Sequence, residues 1–311
     1  MCCLFGMIDY GRSFSGKQKT RMLSVLAREC EVRGTDATGI AYLYRDGIQV
    51  YKRPWPARRM RFRIPNEVSV VMGHTRMTTQ GSAKKNQNNH PWLGHVPGGE
   101  FALAHNGVLY NDTILRRTCQ LPKTNVETDS YVAVQLLEKK KALDFSSLRY
   151  MAETVEGSFC FTALDEKNQL WLVKGDNPLC LYHYPKLGLY LYASTEEILT
   201  RAISKMSVAL GKPEKVDLSM GDILKIDWEG QQEREHFNTE KLICRDFYVP
   251  WTSCWGRFPA RSRKSAFEEA YLQDLRTTAQ CLGYEEELVD AWLQDGFTTD
   301  EIEEFLYCGE I

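Results

Sequence analysis

From Gly157 onward the chain is a series of short apolar runs: Phe159–Leu164, Leu170–Lys174, Leu179–His183 and Gly188–Tyr192. Turn residues such as Asp165–Asn168 separate them, and a further run, Asp222–Asp227, follows a helical stretch at Thr195–Ile203. Runs this closely spaced leave no room for the crossover helices that parallel strands need, so they must pair antiparallel. The N-terminal half supplies a second set. Met1–Asp9 is an apolar run, Ile40–Tyr44 and Ile48–Lys52 flank an Asp46-Gly47 turn, and Val68–Met72 and Phe101–Ala104 are continuously apolar strands of the buried kind. Over Gly16–Glu31, Leu23, Leu26, Ala27 and Cys30 fall at i, i+3, i+4 and i+7, one apolar helix face. Glu127–Lys140 and Leu143–Thr154 read as two more helices, set between the two groups of strands. This order makes the chain α+β.

Length and charge exclude several classes. At 311 residues there is room for roughly two domains. A net charge of −2 gives no global field to recruit nucleic acid or an anionic membrane, so neither is expected as a partner. Arginines 53, 58, 59, 61 and 63, with Trp55 and Phe62 interleaved, read as a solvated surface segment. No run of about 20 apolar residues is present, and the first residues lack the basic and apolar regions of a signal peptide. The ten cysteines show no CxxC pair or zinc-type spacing, which suits reduced thiols in a cytoplasm. A cytoplasmic location is expected, with no metal and no cofactor.

Four stretches carry chemistry-bearing residues. Removal of Met1 would leave Cys2 with a free α-amine beside its thiol, a base built into its own nucleophile. Arg33 and Asp36 sit in a tight loop with two glycines, Arg33–Gly39. Val68–Met72 runs into the polar segment Gly73–Gly81, followed by a long loop, 82–90, that reads as mobile. Phe101–Ala104 ends in His105-Asn106-Gly107. There a side-chain amide and an unobstructed backbone N–H can form an oxyanion hole, and an Asn-Gly turn fits equally. Asp129, near the start of a helix, has a capping explanation as well.

Taken together these segments resemble the class II, N-terminal-nucleophile glutamine amidotransferases. The resemblance rests on Met1-Cys2 before an apolar strand, Arg33-Gly-x-Asp36-x-x-Gly39, Gly73-His-Thr-Arg76-x-x-Thr79-x-Gly81, and His105-Asn-Gly107 followed by Glu-Thr-Asp129. Glu156-Gly-Ser-Phe, Asn177-Pro-Leu and Ala193-Ser194 extend it, in the family's order, over about residues 2–230. It implies a four-layer αββα sandwich with two antiparallel sheets. It also implies that Cys2 attacks the side-chain amide of free L-glutamine, giving a γ-glutamyl thioester and ammonia. Asn106 and Gly107 would hold the oxyanion, Arg76 the α-carboxylate and Asp129 the α-ammonium. Thr79 would line the pocket, and Arg33 and Asp36 would brace the loop beneath the nucleophile. Three positions depart from the family pattern: Cys3 replaces a glycine, and Met77 and Gln80 replace an aromatic residue and a histidine. Family members carry or recruit an acceptor synthase or ligase, so a partner subunit is expected. A stand-alone glutaminase, an amidohydrolase acting on another amide, and a catalytically idle binding module are the alternatives.

The expected domain spans residues 2–236. An aromatic and basic strap at 237–264 follows, and then a small helical appendage at 265–311. The appendage reads as helices at Ala266–Leu282 and Glu285–Gln294, with a capping-box start for a third at Thr298.

Overall fold

The structure is a computed structural model and describes residues 2–45 and 47–243, together with scattered residues between 272 and 306. The chain divides into two units, Met1–Asp246 and Phe247–Ile311.

In the first unit two antiparallel sheets are stacked. One is built around β1 (Cys3–Asp9), which pairs with β4 (Val70–Arg76) and β10 (Leu189–Ala193). β2 (Ala37–Tyr44) and β3 (Gly47–Arg53) extend it beyond β4, and β9 (Cys180–Tyr184) and β11 (Glu214–Val216) beyond β10. The second sheet runs β13 (Gln232–His236), β12 (Asp222–Ile226), β8 (Leu170–Lys174), β7 (Gly157–Asp165), β6 (Gly99–Leu109), β5 (Trp92–Val96).

Alternation along the strands sorts the core into three layers. Cys3, Phe5 and Met7 of β1 join Leu23, Leu26 and Ala27 of α1 (Gly16–Glu29) and Ile198, Leu199 and Ala202 of the helix Glu196–Lys205. Leu4 and Ile8 point the other way, into the inter-sheet layer with Met72, Ala102, Ala104 and Cys160. Phe101, Leu103, Phe159 and Phe161 meet the helices Tyr131–Lys140 and Phe145–Thr154 on the far side. Each fully buried Leu or Phe in these layers contributes about 1.5–3 kcal/mol. Close packing also explains Gly73: a Cβ there would lie 2.4 Å from the ring of Phe5, its cross-strand partner.

The elements differ from the sequence reading where polar residues sit inside strands. The strand expected to end at Met72 continues through His74, Thr75 and Arg76 because both neighbours, β1 and β2, pair with that stretch. The strand expected to end at Ala104 continues to Leu109, with Asn106 opposite Cys160 and Gly107 opposite Phe159, which removes the Asn-Gly turn. The helix expected to run to Glu31 stops at Glu29 and tightens into a 3₁₀ turn, Cys30–Arg33. The one expected from Glu127 begins at Tyr131, so Asp129 precedes it. Three unforeseen strands, β5, β11 and β13, lie at sheet edges, and the last two carry largely polar sequence. The expected loop 82–90 is tied down by side chains, as described below.

At the start of the expected strap, Phe237 is buried against Phe159, with ring centroids 5.9 Å apart. Residues 244–264 of that strap, and Asp46 of the expected turn, lie outside the described residues. In the second unit Leu275, Ala279, Val289, Ile302 and Leu306 bury one another, and Arg276 pairs with Asp290 at 2.6 Å. Its helix Glu287–Gln294 is described; the helices expected at 266–282 and from Thr298 lie largely outside the described residues. No helix among the described residues is long and apolar enough to cross a membrane.

Candidate active site

Cys2 stands at the head of β1. By alternation it shares the inter-sheet side of the strand with Leu4, whereas Cys3 is fully buried among α1 residues on the opposite side. The Cys2 thiol approaches the carbonyl of Met77 at 3.5 Å. Burial pushes this thiol above its ordinary range, against the pull of the amino terminus, Arg76 and Arg33. A thiol held protonated in this way needs a base to become a nucleophile.

The next strand supplies the cation. Leu4 pairs with His74 and Cys3 with Thr75, so the ladder brings Arg76 to the Cys2 end of β1. Arg76 is buried, and its guanidinium donates to Asn89 Oδ1 (2.8 Å), the Gln80 carbonyl (2.5 Å) and the Gly81 carbonyl (3.3 Å). These partners are all neutral. Burial lowers its pKa, and Cys2, Asp36 and Asp129 act in the opposite sense.

β6 lies across the sandwich, packed against both β1 and β4. Asn106 falls on the same inward side as Ala102 and Ala104 and is fully buried. Neither Nδ2 nor Oδ1 of its side chain has a partner among the described residues. Leaving such a group unsatisfied costs about 1–3 kcal/mol. Beside it Gly107 adopts φ +138°, and a Cβ there would lie 1.9 Å from the Ser158 carbonyl, so no other residue fits. The His74 ring, kept neutral by burial, donates through Nε2 to the His105 carbonyl at 2.9 Å and ties the two sheets together beside Asn106.

Asp129 supplies the anion. Its carboxylate is buried, accepting from the Leu109 N–H at 2.6 Å and the Ser130 hydroxyl at 3.1 Å. Burial pushes its pKa up to about 6. The site thus holds a buried cation and a buried anion whose hydrogen-bond partners are all neutral groups, an arrangement that costs stability until counter-charges arrive.

The bracing residues join these parts. Arg33, from the 3₁₀ turn, donates through Nε to the Cys2 carbonyl at 3.1 Å. Asp36 accepts from the Thr78 N–H at 2.7 Å, and its own N–H donates to the Arg76 carbonyl at 2.9 Å. Thr79 and Gln80 are exposed and Met77 is partly buried. Cys2, Arg33, Asp36, Arg76, Asn106, Gly107 and Asp129 are therefore linked through adjoining strands and direct bonds, while the Thr79 side chain stays at the surface.

Sequence reasoning missed Lys52, Asn88 and Asn89. Lys52, on β3, donates to the carbonyls of Asn89 (2.5 Å) and Pro91 (2.9 Å). Asn89 Nδ2 donates to Ala83 O at 2.8 Å, and Asn88 Nδ2 to Ser82 O at 3.0 Å and Glu127 Oε2 at 2.8 Å. These bonds fix the 82–90 loop and, through Asn89, the Arg76 guanidinium. The run of asparagines before Pro91 was the available signal, since such side chains substitute for backbone partners.

Residues 74–201, which include the stretches around Arg76, Asn106 and Asp129, match the sequence profile of the glutamine amidotransferase domain. The chain thus carries a glutamine amidotransferase domain over this stretch. Over 188 residues the protein is 31% identical to a glutamine–fructose-6-phosphate aminotransferase (isomerizing) of Bacillus thuringiensis, covering 58% of this chain and 30% of that protein. Over 207 residues it is 27% identical to a 7-cyano-7-deazaguanine synthase of Saccharolobus solfataricus, covering 63% of this chain and 43% of that protein. The chain thus spans less than half the length of either relative. In fold it resembles the glutamine phosphoribosylpyrophosphate amidotransferase of B. subtilis, with TM-score 0.61 and 18% identity, over 77% of this chain and 50% of that one. The first unit accordingly shares the α+β fold of that amidotransferase, two antiparallel sheets stacked between helices.

Proposed function

We propose that the protein hydrolyses the side-chain amide of free L-glutamine. Cys2 is the nucleophile and its own α-amine, exposed once Met1 is removed, is the base. The thiol proton passes to the amine as sulfur attacks the amide carbon, and from there to the leaving nitrogen, which departs as ammonia. Water then cleaves the γ-glutamyl thioester to glutamate and the free thiol. The observation that carries this reading is the Asn106 side chain, a fully buried amide with no partner among the described residues, on the side of β6 that faces the layer of Cys2. A developing oxyanion gives that donor its missing acceptor.

Arg76 and Asp129 favour a free amino acid as substrate. An α-carboxylate neutralises the buried guanidinium and an α-ammonium the buried carboxylate. Ammonia protonated in water is lost as a nucleophile, so the product is passed directly to an acceptor on a partner synthase or ligase.

The test is intact-mass analysis after incubation with a diazoketone analogue of glutamine. The expected spectrum shows Met1 absent and one adduct, mapped to Cys2. Labelling at another cysteine, or full activity with Met1 retained, overturns the mechanism.

A pH profile offers a second check. Because Asp129 titrates near 6, kcat/KM for glutamine should gain a further downward break below about pH 6, as the carboxyl loses the charge that meets the ammonium. Stability moves the other way. The folded pKa lies above the unfolded value, so the fold gains from protonation as pH falls through 6 toward 4. A thermal midpoint and kcat/KM that fall together below pH 6 would assign the break to unfolding instead.

A further inference from the structure

Asp129 is held by a chain of two side chains that the proposed chemistry does not use. The Ser130 hydroxyl lies 3.1 Å from Asp129 Oδ1, and His105 Nδ1 lies 2.7 Å from the same hydroxyl. All three side chains are buried. The proton positions follow from what each group can do. An ionised carboxylate only accepts, so the serine proton points to Asp129 and the serine oxygen accepts from His105 Nδ1–H. The imidazole is neutral, burial holding it down at about 3, and so has a single N–H: on Nδ1 it serves Ser130 at 2.7 Å and leaves the longer 3.4 Å approach of Nε2 to the Ser158 carbonyl without a proton. The ring stacks on Phe161 at 4.5 Å and 22°, while the backbone carbonyl of the same residue takes the His74 bond. Neither end of His105 is free to drift.

His105 precedes Asn106 on β6, and the two side chains leave the strand on opposite sides. One strand thereby governs both ends of the substrate, Asn106 at the reacting amide and His105, through Ser130, at the α-ammonium. We propose that Ser130 and His105 are positioning residues that orient the Asp129 carboxylate toward the α-ammonium of the substrate. The inference rests on the reading of Asp129 as the ammonium receiver.

The experiment compares L-glutamine with 4-carbamoylbutanoate, the same molecule without the α-amine, as substrates of the full chain. The readout is the ratio of their kcat/KM values. In Ser130→Ala the ratio should fall about tenfold, as for one hydrogen bond lost to a charged group, through KM for glutamine more than through kcat. Ser130→Thr keeps the hydroxyl and should restore the ratio. His105→Asn, which keeps an N–H near the Nδ1 position, should hold the ratio where His105→Leu lowers it. A purely structural role would depress both substrates equally, and a ratio unmoved in Ser130→Ala and His105→Leu overturns the proposal. If the unsubstituted protein itself does not prefer glutamine to the analogue, the reading of Asp129 fails as well. That outcome is told apart by appearing before any substitution is made.

Discussion

Cys2→Ala should release no ammonia from glutamine and form no adduct with the diazoketone, whereas Cys3→Ala should retain most of both activities. The two residues are adjacent, yet β1 sends them to opposite sides. Cys3 packs among α1 residues, so removing its sulfur costs packing in a layer remote from the chemistry. Cys2 lies on the inter-sheet side, with its carbonyl held by Arg33 and its thiol beside Met77. Measuring glutamate and ammonia release alongside thermal midpoints separates the effects: Cys3→Ala should lose stability and keep turnover, and Cys2→Ala the reverse. Ammonia release at ordinary rates from Cys2→Ala would end the case for a cysteine nucleophile at position 2.

The second large effect belongs to Asn106. Asn106→Ala should lower kcat by roughly 10²–10³, the loss found when one oxyanion donor is removed, equivalent to about 2.7–4 kcal/mol of transition-state stabilisation. Asn106→Leu should be as inactive and yet melt higher than the unsubstituted protein. It exchanges an amide with no partner among the described residues for an apolar group of similar volume, and so relieves the cost of that unsatisfied amide. A dead variant that is also the more stable one cannot be explained by damage to the fold. A loss of less than tenfold in both variants would reduce Asn106 to a packing residue.

Much of this architecture was legible in the sequence because apolar residues carry it. The strands from Phe159 to Tyr192 and the face formed by Leu23, Leu26, Ala27 and Cys30 are set by burial, and burial has a readable period. The polar centre is less readable. Asn106-Gly107 looks like a turn because that dipeptide usually is one, and only the partner strand β7 keeps it extended. His74 and Arg76 likewise appear to end a strand when they continue it. Lys52 was invisible, since its bonds go to carbonyls 37 and 39 residues away and depend on a topology that no local pattern encodes. The candidate site residues rest on the joint order of four segments, each of which has an ordinary structural explanation by itself.

The tie from His74 to the His105 carbonyl places the candidate centre between two sheets rather than within a loop. On the proposed mechanism the gap between the Cys2 thiol and the Asn106 amide is a sheet separation, set by the girth of Leu4, Met72, Ala102 and Ala104. Drift in surface loops would then leave that gap unchanged. A single methylene gained at Ala104 would pry the layers apart at the point where atoms must meet. In descendants of this chain, side-chain volume at Ala104 should vary less than chemical character at Lys85 or Gln80, although neither Leu4 nor Ala104 carries a reactive group.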